Sequence, residues 1–441
     1  MSVPVPGTVD HVSPDPGVNA ALREYLYGLT LHGVKLGLHN ITRLLAAAQD
    51  PQLRFRSVHV GGTNGKGSVV AMVDAMLCAA GYRTGRFTSP HLIDLEERFL
   101  AGGMPIPGDA LDAHIAFFRD AAAGMPYPPT FFELCTAIAF RHFAQARVEA
   151  ALVEVGMGGR LDSTNVLLPL ATAITNIDLE HTQYLGHTLA EIAFEKAGIL
   201  KPGVPAVVGE PRAEARDVIL ARATEVAAPV IVVGRDLHYA VTGGPWEQRF
   251  TYRSPSLQIE AVPLPLAGRH QGSNAAIAVA LAELLRPRFP RLDKPAIVAG
   301  LAAARWPCRL ERVLESPPVL IDAAHNVAGA RHLVASLGPC VTVLAVASDK
   351  DAAGMIEVLA PQSRAFILTA FTGKRSLPVA ALSAAAGAYA HHQAPTLAQA
   401  LALGLSLATQ DCPLLITGSI YTAGEARRLL SERYGAPPLR F

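Results

Sequence analysis

The sequence predicts an α/β protein with mostly parallel sheets, divided into a larger N-terminal domain and a smaller C-terminal one. Three observations carry that expectation. Short apolar runs alternate with longer segments of helical spacing, and the runs end in polar or Gly-rich loops. The same style then restarts after a break at Trp306-Pro307. Strands alternating with helices favour parallel sheets, in which ligands gather at the carboxyl ends of the strands.

Taken in order, residues 57–60 read as a first strand running into a Gly-rich turn, and 69–80 carry helical spacing. Residues 150–155 (AALVEV) and 171–177 (ATAITNI) are expected as buried strands, as are 204–208 and 229–233. The more polar stretch 239–265 alternates (RFTYRSPSLQIEAVPL), which predicts a β-hairpin appended to the first domain. Residues 295–310 follow a helical pattern until Trp306-Pro307, where the domain boundary is expected. Four further strands follow, at 319–321 before DAAHN, 341–347 before SDKD, 365–369, and 414–417 before GSIY. The expected division is a flexible Pro/Gly-rich leader at 1–17, a domain at 18–304, a linker at 305–310 and a domain at 311–441.

Composition excludes several classes. Half of the 441 residues are hydrophobic and 17% are charged, which argues against disorder. Lys and Arg number 38 against 37 Asp and Glu, so neither a nucleic-acid nor a membrane-surface partner is expected. No apolar run approaches the roughly 18 residues of a membrane span, and the N-terminus lacks the basic and apolar regions of a signal peptide. The five cysteines are odd in number, scattered and without a C-x-x-C pair. That excludes a disulfide framework or a cysteine zinc site and suggests buried thiols in a reducing compartment. A soluble cytoplasmic monomer is the expectation.

The strongest local signal is GGTNGKGS at 61–68, between strand and helix. Successive backbone N–H groups with a helix N-terminus behind them form an anion cradle, to which Lys66 adds a point charge. The string is a variant of the strict P-loop, since Val60 stands where the first Gly belongs and Gly67 follows Lys66. Glu154, at a strand's end before GMGGRLDSTN, suits a Mg²⁺ ligand and equally a salt-bridged carboxylate. His181, in NIDLEHTQYLG, lies just past a strand and alone reads more readily as structural than as a ligand; Ser89, in FTSPHL, is a hydroxyl beside a Pro turn and alone reads as turn-stabilising. Lys196, in EIAFEKAGIL, either snorkels to solvent or, if buried, needs deprotonation or modification. Asp322 and His325 lie in LIDAAHN at another strand end, and Arg309 lies in the linker. There it either reaches a nucleotide's phosphates or ties linker to domain.

Together these strings resemble the folylpolyglutamate synthase and dihydrofolate synthase family, relatives of the Mur ligases. In order they are YLYGLTLHGVKLGL, GTNGKGS, TSPHL, FFELCTAIAF, EVGMGGRLDSTN, HTQYLG, EKAGILKP, GRHQGSN, WPCRLE, DAAHN, SDKD, KRSLP and GSIYTAGEAR, across residues 25–430. The resemblance implies an N-terminal P-loop-type ATPase domain and a Rossmann-like C-terminal domain. It implies that Asn64, Gly65, Lys66, Gly67, Ser68, Asn274, Arg309 and Asp322 contact ATP. Ser89, Glu154 and His181 match ligands of two Mg²⁺ ions, and Lys196 matches a lysine carried as a carbamate. His325 matches a histidine on the cleft wall, and with Asp322 is the best-placed candidate base. Phe132, Glu133, Leu161 and Asp162 fall where a pterin or pteroate is held.

The implied reaction is ATP-driven addition of L-glutamate to a folate or pteroate carboxylate through an acyl phosphate. A Mur-type amino-acid ligase acting on a UDP-sugar peptide, and a nucleotide-binding regulatory protein without turnover, are the alternatives. FFELCTAIAF and DSTN weigh against the first; the retained Lys66, Glu154, His181, Lys196, Arg309 and Asp322 weigh against the second. The chain departs from the family in HLIDLEERFLAGG, in Glu180 where Asp is usual and in Cys308 where Gly is usual.

Overall fold

The computed structural model describes residues 19–33 and 37–441; the expected leader at 1–17 lies outside them. An eight-stranded sheet forms the core of the first part. Across it run Met104–Pro105, Phe99–Ala101, Thr84–Phe87, Ala150–Glu154, Arg56–Gly61, Ala171–Ile174, Ala206–Val208 and Val230–Val232. The six strands from Thr84–Phe87 onward are parallel, and Phe99–Ala101 pairs antiparallel with Thr84–Phe87 on one side and with Met104–Pro105 on the other. Apart from Thr84–Phe87 (TGRF), the sequences of the six are largely apolar runs because helices cover both faces. Val58 and Val60 face one core with the helices Lys66–Ala79 and Gln271–Leu285; Ala151 and Val153 face another with Phe131–Gln145. That alternation is the period of two of a pleated strand.

Arg56–Gly61 sits between Ala150–Glu154 and Ala171–Ile174, with Val60 opposite Glu154 and Gly61 opposite Ile174. Three carboxyl ends therefore open on one edge. The chain leaves Arg56–Gly61 toward one side of the sheet and later crosses to the other, which makes this edge a topological switch point.

Residues 239–265 fold differently from expectation. Instead of a hairpin they form a three-stranded antiparallel sheet of His238–Thr242, Arg249–Arg253 and Gln258–Pro263. The first of these strands is largely exposed, so its polar sequence gave no burial pattern to read. Helix Lys294–Ala303 then ends ahead of Trp306-Pro307, and a six-stranded sheet follows. Its order is Glu311–Glu315, Pro318–Ile321, Leu414–Thr417, Cys340–Leu344, Ser363–Leu368 and His391–Gln393, parallel except at Glu311–Glu315. Here too the faces alternate, with Ile321, Val343 and Ile416 in one core and Leu320, Leu344 and Leu415 in the other.

Cys135, Cys308 and Cys340 are buried free thiols, whereas Cys78 is exposed and Cys412 half-buried, so the expectation of burial holds for three of the five. Among the described residues no helix is long and apolar enough to cross a membrane.

The core also holds a histidine. His59, on Arg56–Gly61, is wholly buried; its Nε2 lies 2.8 Å from Thr164 Oγ1, and its Nδ1 has no partner among the described residues. Burial, reinforced by the Lys201 charge, holds its pKa down at about 3. The unfolded chain takes up that proton near pH 6.5 while the folded one refuses it. Stability is therefore unaffected above pH 6.5 and falls as the pH drops from there toward 3. Urea unfolding at pH 7 and pH 5 should show a loss of about 2 kcal/mol from His59, absent from His59→Asn. Equal pH dependence in the two proteins would discard this role for His59.

Candidate active site

The loop after Arg56–Gly61 is shaped by glycines and fastened to its neighbours. Gly62 (φ +135°) and Gly65 (φ +87°) adopt backbone that L side chains avoid. A Cβ on Gly62 would also meet Thr175 Oγ1 at 1.9 Å, and one on Gly65 would meet Asn274 Oδ1 at 2.4 Å. Thr63 N–H donates to Asn176 O (2.8 Å), Asn64 N–H to Asn176 Oδ1 (2.9 Å), and Thr175 Oγ1 to Asn64 O (2.7 Å). Helix Lys66–Ala79 starts directly behind, and no side chain caps its N-terminus. Its first N–H groups and the positive end of its dipole thus face the loop, an arrangement suited to phosphate. Lys66 Nζ lies alongside, donating to the carbonyls of Gly62 (3.0 Å) and Thr63 (2.8 Å).

Beside the loop stands a cluster of charged and polar groups. Glu154 ends its strand and is buried, with Oε2 accepting from Ser89 N–H at 3.2 Å. Burial pushes its pKa up, against the Lys66 charge, the Ser89 N–H and Arg309. Lys196, in the last turn of helix Leu189–Ala197, is 1% exposed, so it does not snorkel. Its Nζ donates to Gly62 O at 2.8 Å and lies 3.9 Å from Glu180 Oε1. Burial lowers its pKa to about 8, with Glu180 opposing. Glu180 is pushed up by burial but pulled further down by Lys196, Lys66 and His181, and ends below the usual carboxylate range. His181 Nε2 is 3.7 Å from Glu180 Oε1, and burial brings its pKa to about 4, leaving a neutral ring with a lone pair to offer.

The second sheet supplies the facing wall. Asp322 follows Pro318–Ile321 and is buried; Oδ2 accepts from Leu310 N–H and Oδ1 from Ala324 N–H, both at 2.8 Å. Both oxygens thus hold backbone, which fixes the linker one residue beyond Arg309. Burial raises the Asp322 pKa despite Arg309 and these N–H groups, and it lowers that of His325, whose Nδ1 is 3.1 Å from Ala323 O.

These groups line one cavity of about 260 Å³. Asn64 to Ser68, Ser89, Glu154, His181 and Asn274 border it from the first sheet, and Arg309, Asp322 and His325 from the second. Lys196 lies behind Gly62, just off the lining. Sequence reasoning gave no role to Glu180, Trp306, Lys350, Arg375 or Tyr421, which also line it. The last three sit in SDKD, KRSLP and GSIY, strings that stood out without a function attached.

Phe132, Glu133, Leu161 and Asp162 do not line the cavity. Of the two acids, Asp162 holds the protein's own chain with both oxygens, and Glu133 does so with Oε2. Glu133 closes a capping box with Thr130, accepting from its N–H at 2.7 Å and its Oγ1 at 2.9 Å. Asp162 accepts from Met157 N–H and Thr164 N–H, both at 2.9 Å, and from Thr164 Oγ1. The Phe132 ring packs against Gly156, which does border the cavity.

The residues also suit a hard divalent cation. Glu154, the Ser68 and Ser89 hydroxyls and a neutral His181 offer mainly oxygen donors. Among the described residues no three His, Cys, Asp or Glu side chains form a closed cage. A site completed by phosphate oxygens is the usual arrangement for Mg²⁺.

A phosphate-type loop on one α/β sheet, facing basic side chains on a second sheet across a single cleft, defines a two-part nucleotide-dependent ligase of the Mur type. Residues 60–282 match the Mur ligase middle domain, and 308–420 match the Mur ligase glutamate ligase domain. The folylpolyglutamate synthase of Lacticaseibacillus casei is 36% identical over 415 residues, covering 90% of this chain and 95% of that protein. The structure of Mycobacterium tuberculosis folylpolyglutamate synthase complexed with ADP matches at TM-score 0.86 and 34% identity, over 95% of this chain and 99% of that one. The bifunctional folylpolyglutamate synthase/dihydrofolate synthase of Yersinia pestis, complexed with AMPPNP and Mn, matches at TM-score 0.84 and 29% identity, over 93% and 98%. The chain belongs to the folylpolyglutamate synthase/dihydrofolate synthase family.

Proposed function

We propose that this protein is an ATP-dependent ligase that joins L-glutamate to the carboxylate of a folate or pteroate. The observation that carries this reading is the single cleft shared by the Gly-rich loop and the Arg309, Asp322 and His325 wall. A carboxylate is a poor acyl donor, so ATP first transfers its γ-phosphoryl group to it, giving an acyl phosphate and ADP. The glutamate amine then attacks the acyl carbon, and inorganic phosphate leaves through a tetrahedral intermediate.

The N–H groups of residues 65–68 and Lys66 hold the triphosphate, with Asn64 and Asn274 bordering it. Positioning and electrostatics supply most of the catalysis in such transfers. Ser68, Ser89, Glu154 and His181 hold divalent metal, two Mg²⁺ ions in our reading, which spreads the charge of the transferring group. Lys196 carries a carbamate: its buried amine releases a proton on addition to CO₂, and the resulting anion borders the same site. Arg309 neutralises phosphate charge when the parts close about residues 305–310, and closure excludes water from the acyl phosphate. Asp322 acts by fixing the linker, and His325 stands on the wall beside it. Phe132 and Leu161 flank the pterin or pteroate group, with Glu133 and Asp162 holding the backbone behind them. The protein acts as a cytoplasmic monomer.

The test is phosphate release by purified protein with Mg²⁺ and ATP. Release should require both L-glutamate and either dihydropteroate or a reduced folate, with mass spectrometry of the products showing which acceptor is used. No stimulation by either acceptor would discard the reading.

A further inference from the structure

Trp306 stands where the linker begins, and three unrelated elements meet on its indole. From the phosphate loop, Gly67 approaches so closely that a Cβ there would lie 2.6 Å from Trp306 Cζ2 and 2.8 Å from Cε2. From the strand Thr84–Phe87, the Arg86 guanidinium lies 5.1 Å from the indole centroid. From beyond the last helix, the Phe441 ring meets the indole edge-on, with centroids 6.4 Å apart, and also lies 5.7 Å from the guanidinium.

Arg86 is an unusual group to bury. It is 2% exposed, and among the described residues its one ion pair is a long 3.5 Å contact with Asp74 and its Nε and Nη2 have no hydrogen-bond partner. A buried guanidinium with unpaired N–H groups is unfavourable unless something else compensates. Two aromatic rings supply that compensation by presenting their negative faces to the cation. Asp74 lies on the phosphate-loop helix, so Arg86 engages that helix on one side and the linker indole on the other.

We propose that Trp306 is a positioning residue, wedged between Gly67 and Arg86 so that the phosphate loop keeps its binding shape only when the linker is in place. The side chain borders the cleft, and three residues further on Arg309 reaches the same cleft. Movement of the second sheet is thereby coupled to the loop through a rigid ring rather than through flexible backbone. This rests on the nucleotide-binding reading of the loop.

The chain has two tryptophans, and Trp246 is 41% exposed in the turn joining the first two strands of the antiparallel sheet, outside the lining of the cleft. In Trp246→Phe protein, Trp306 is thus the sole reporter. Adding ADP should shift its emission in a saturating curve that follows occupancy measured separately by calorimetry. Trp306→Ala should raise KM for ATP about tenfold with a smaller change in kcat, and Trp306→Phe should recover most of that loss. ADP binding without any change in Trp306 emission overturns the proposal and leaves the ligase reading standing. An unaltered KM for ATP in a folded Trp306→Ala protein does the same, whereas absence of ADP binding overturns both. Should the alanine variant fail to fold, the emission experiment on the intact side chain decides alone.

Discussion

Lys66→Ala is expected to lower kcat by roughly three orders of magnitude or more, because it removes the only side-chain cation in the phosphate loop. The fold should survive. Lys66 Nζ donates only to two carbonyls of its own loop, and Lys66 opens a helix, where alanine is well tolerated. Stability is therefore expected to change by no more than about 1 kcal/mol, read from urea unfolding of both proteins. Circular dichroism together with phosphate release separates loss of chemistry from loss of structure. Turnover retained in a folded variant would remove Lys66 from the site.

Lys196→Met is the second large effect. The lysine is buried against Gly62 and faces Glu180, so a neutral side chain of similar length fills the space without a buried charge. The variant should fold at least as well as the parent. Turnover should nevertheless fall by roughly a hundred- to a thousandfold, since a preorganised anion has gone from the site. At a pKa of about 8, roughly a tenth of the amine is neutral at pH 7 and open to CO₂. Carbon-13 NMR after labelling with bicarbonate should show a carbamate in the parent and none in the methionine variant. A short-chain carboxylate should restore part of the activity. Parental turnover in the variant would exclude a modified lysine at this position.

The parallel strands were legible because each is a short apolar run closed by a Gly-rich or polar loop. Arg56–Gly61, Ala150–Glu154 and Leu414–Thr417 fall within a residue or two of the runs that announce them. Thr84–Phe87 and Glu311–Glu315 were not, since TGRF and ERVLE carry charge in the middle or at both ends. Arg86 is the clearest case: nothing local distinguishes a buried arginine held by two aromatic rings from an ordinary surface one. The phosphate loop was readable for the opposite reason. Its conformation is set by glycines within eight residues, and Glu154 and Asp322 lie at strand ends that the apolar pattern marks.

Sequence by itself therefore determined the fold class, the family and the identity of the groups around the phosphate loop. Those depend on periodicity and on local backbone chemistry, both of which are written along the chain. Only the tertiary structure decided which face of each group is free. It showed Asp322 holding the linker, Lys196 buried on Gly62, and Trp306 clamped against Gly67. Such roles depend on contacts between residues far apart in sequence, where hydrogen-bond saturation and burial are settled by packing rather than by neighbours.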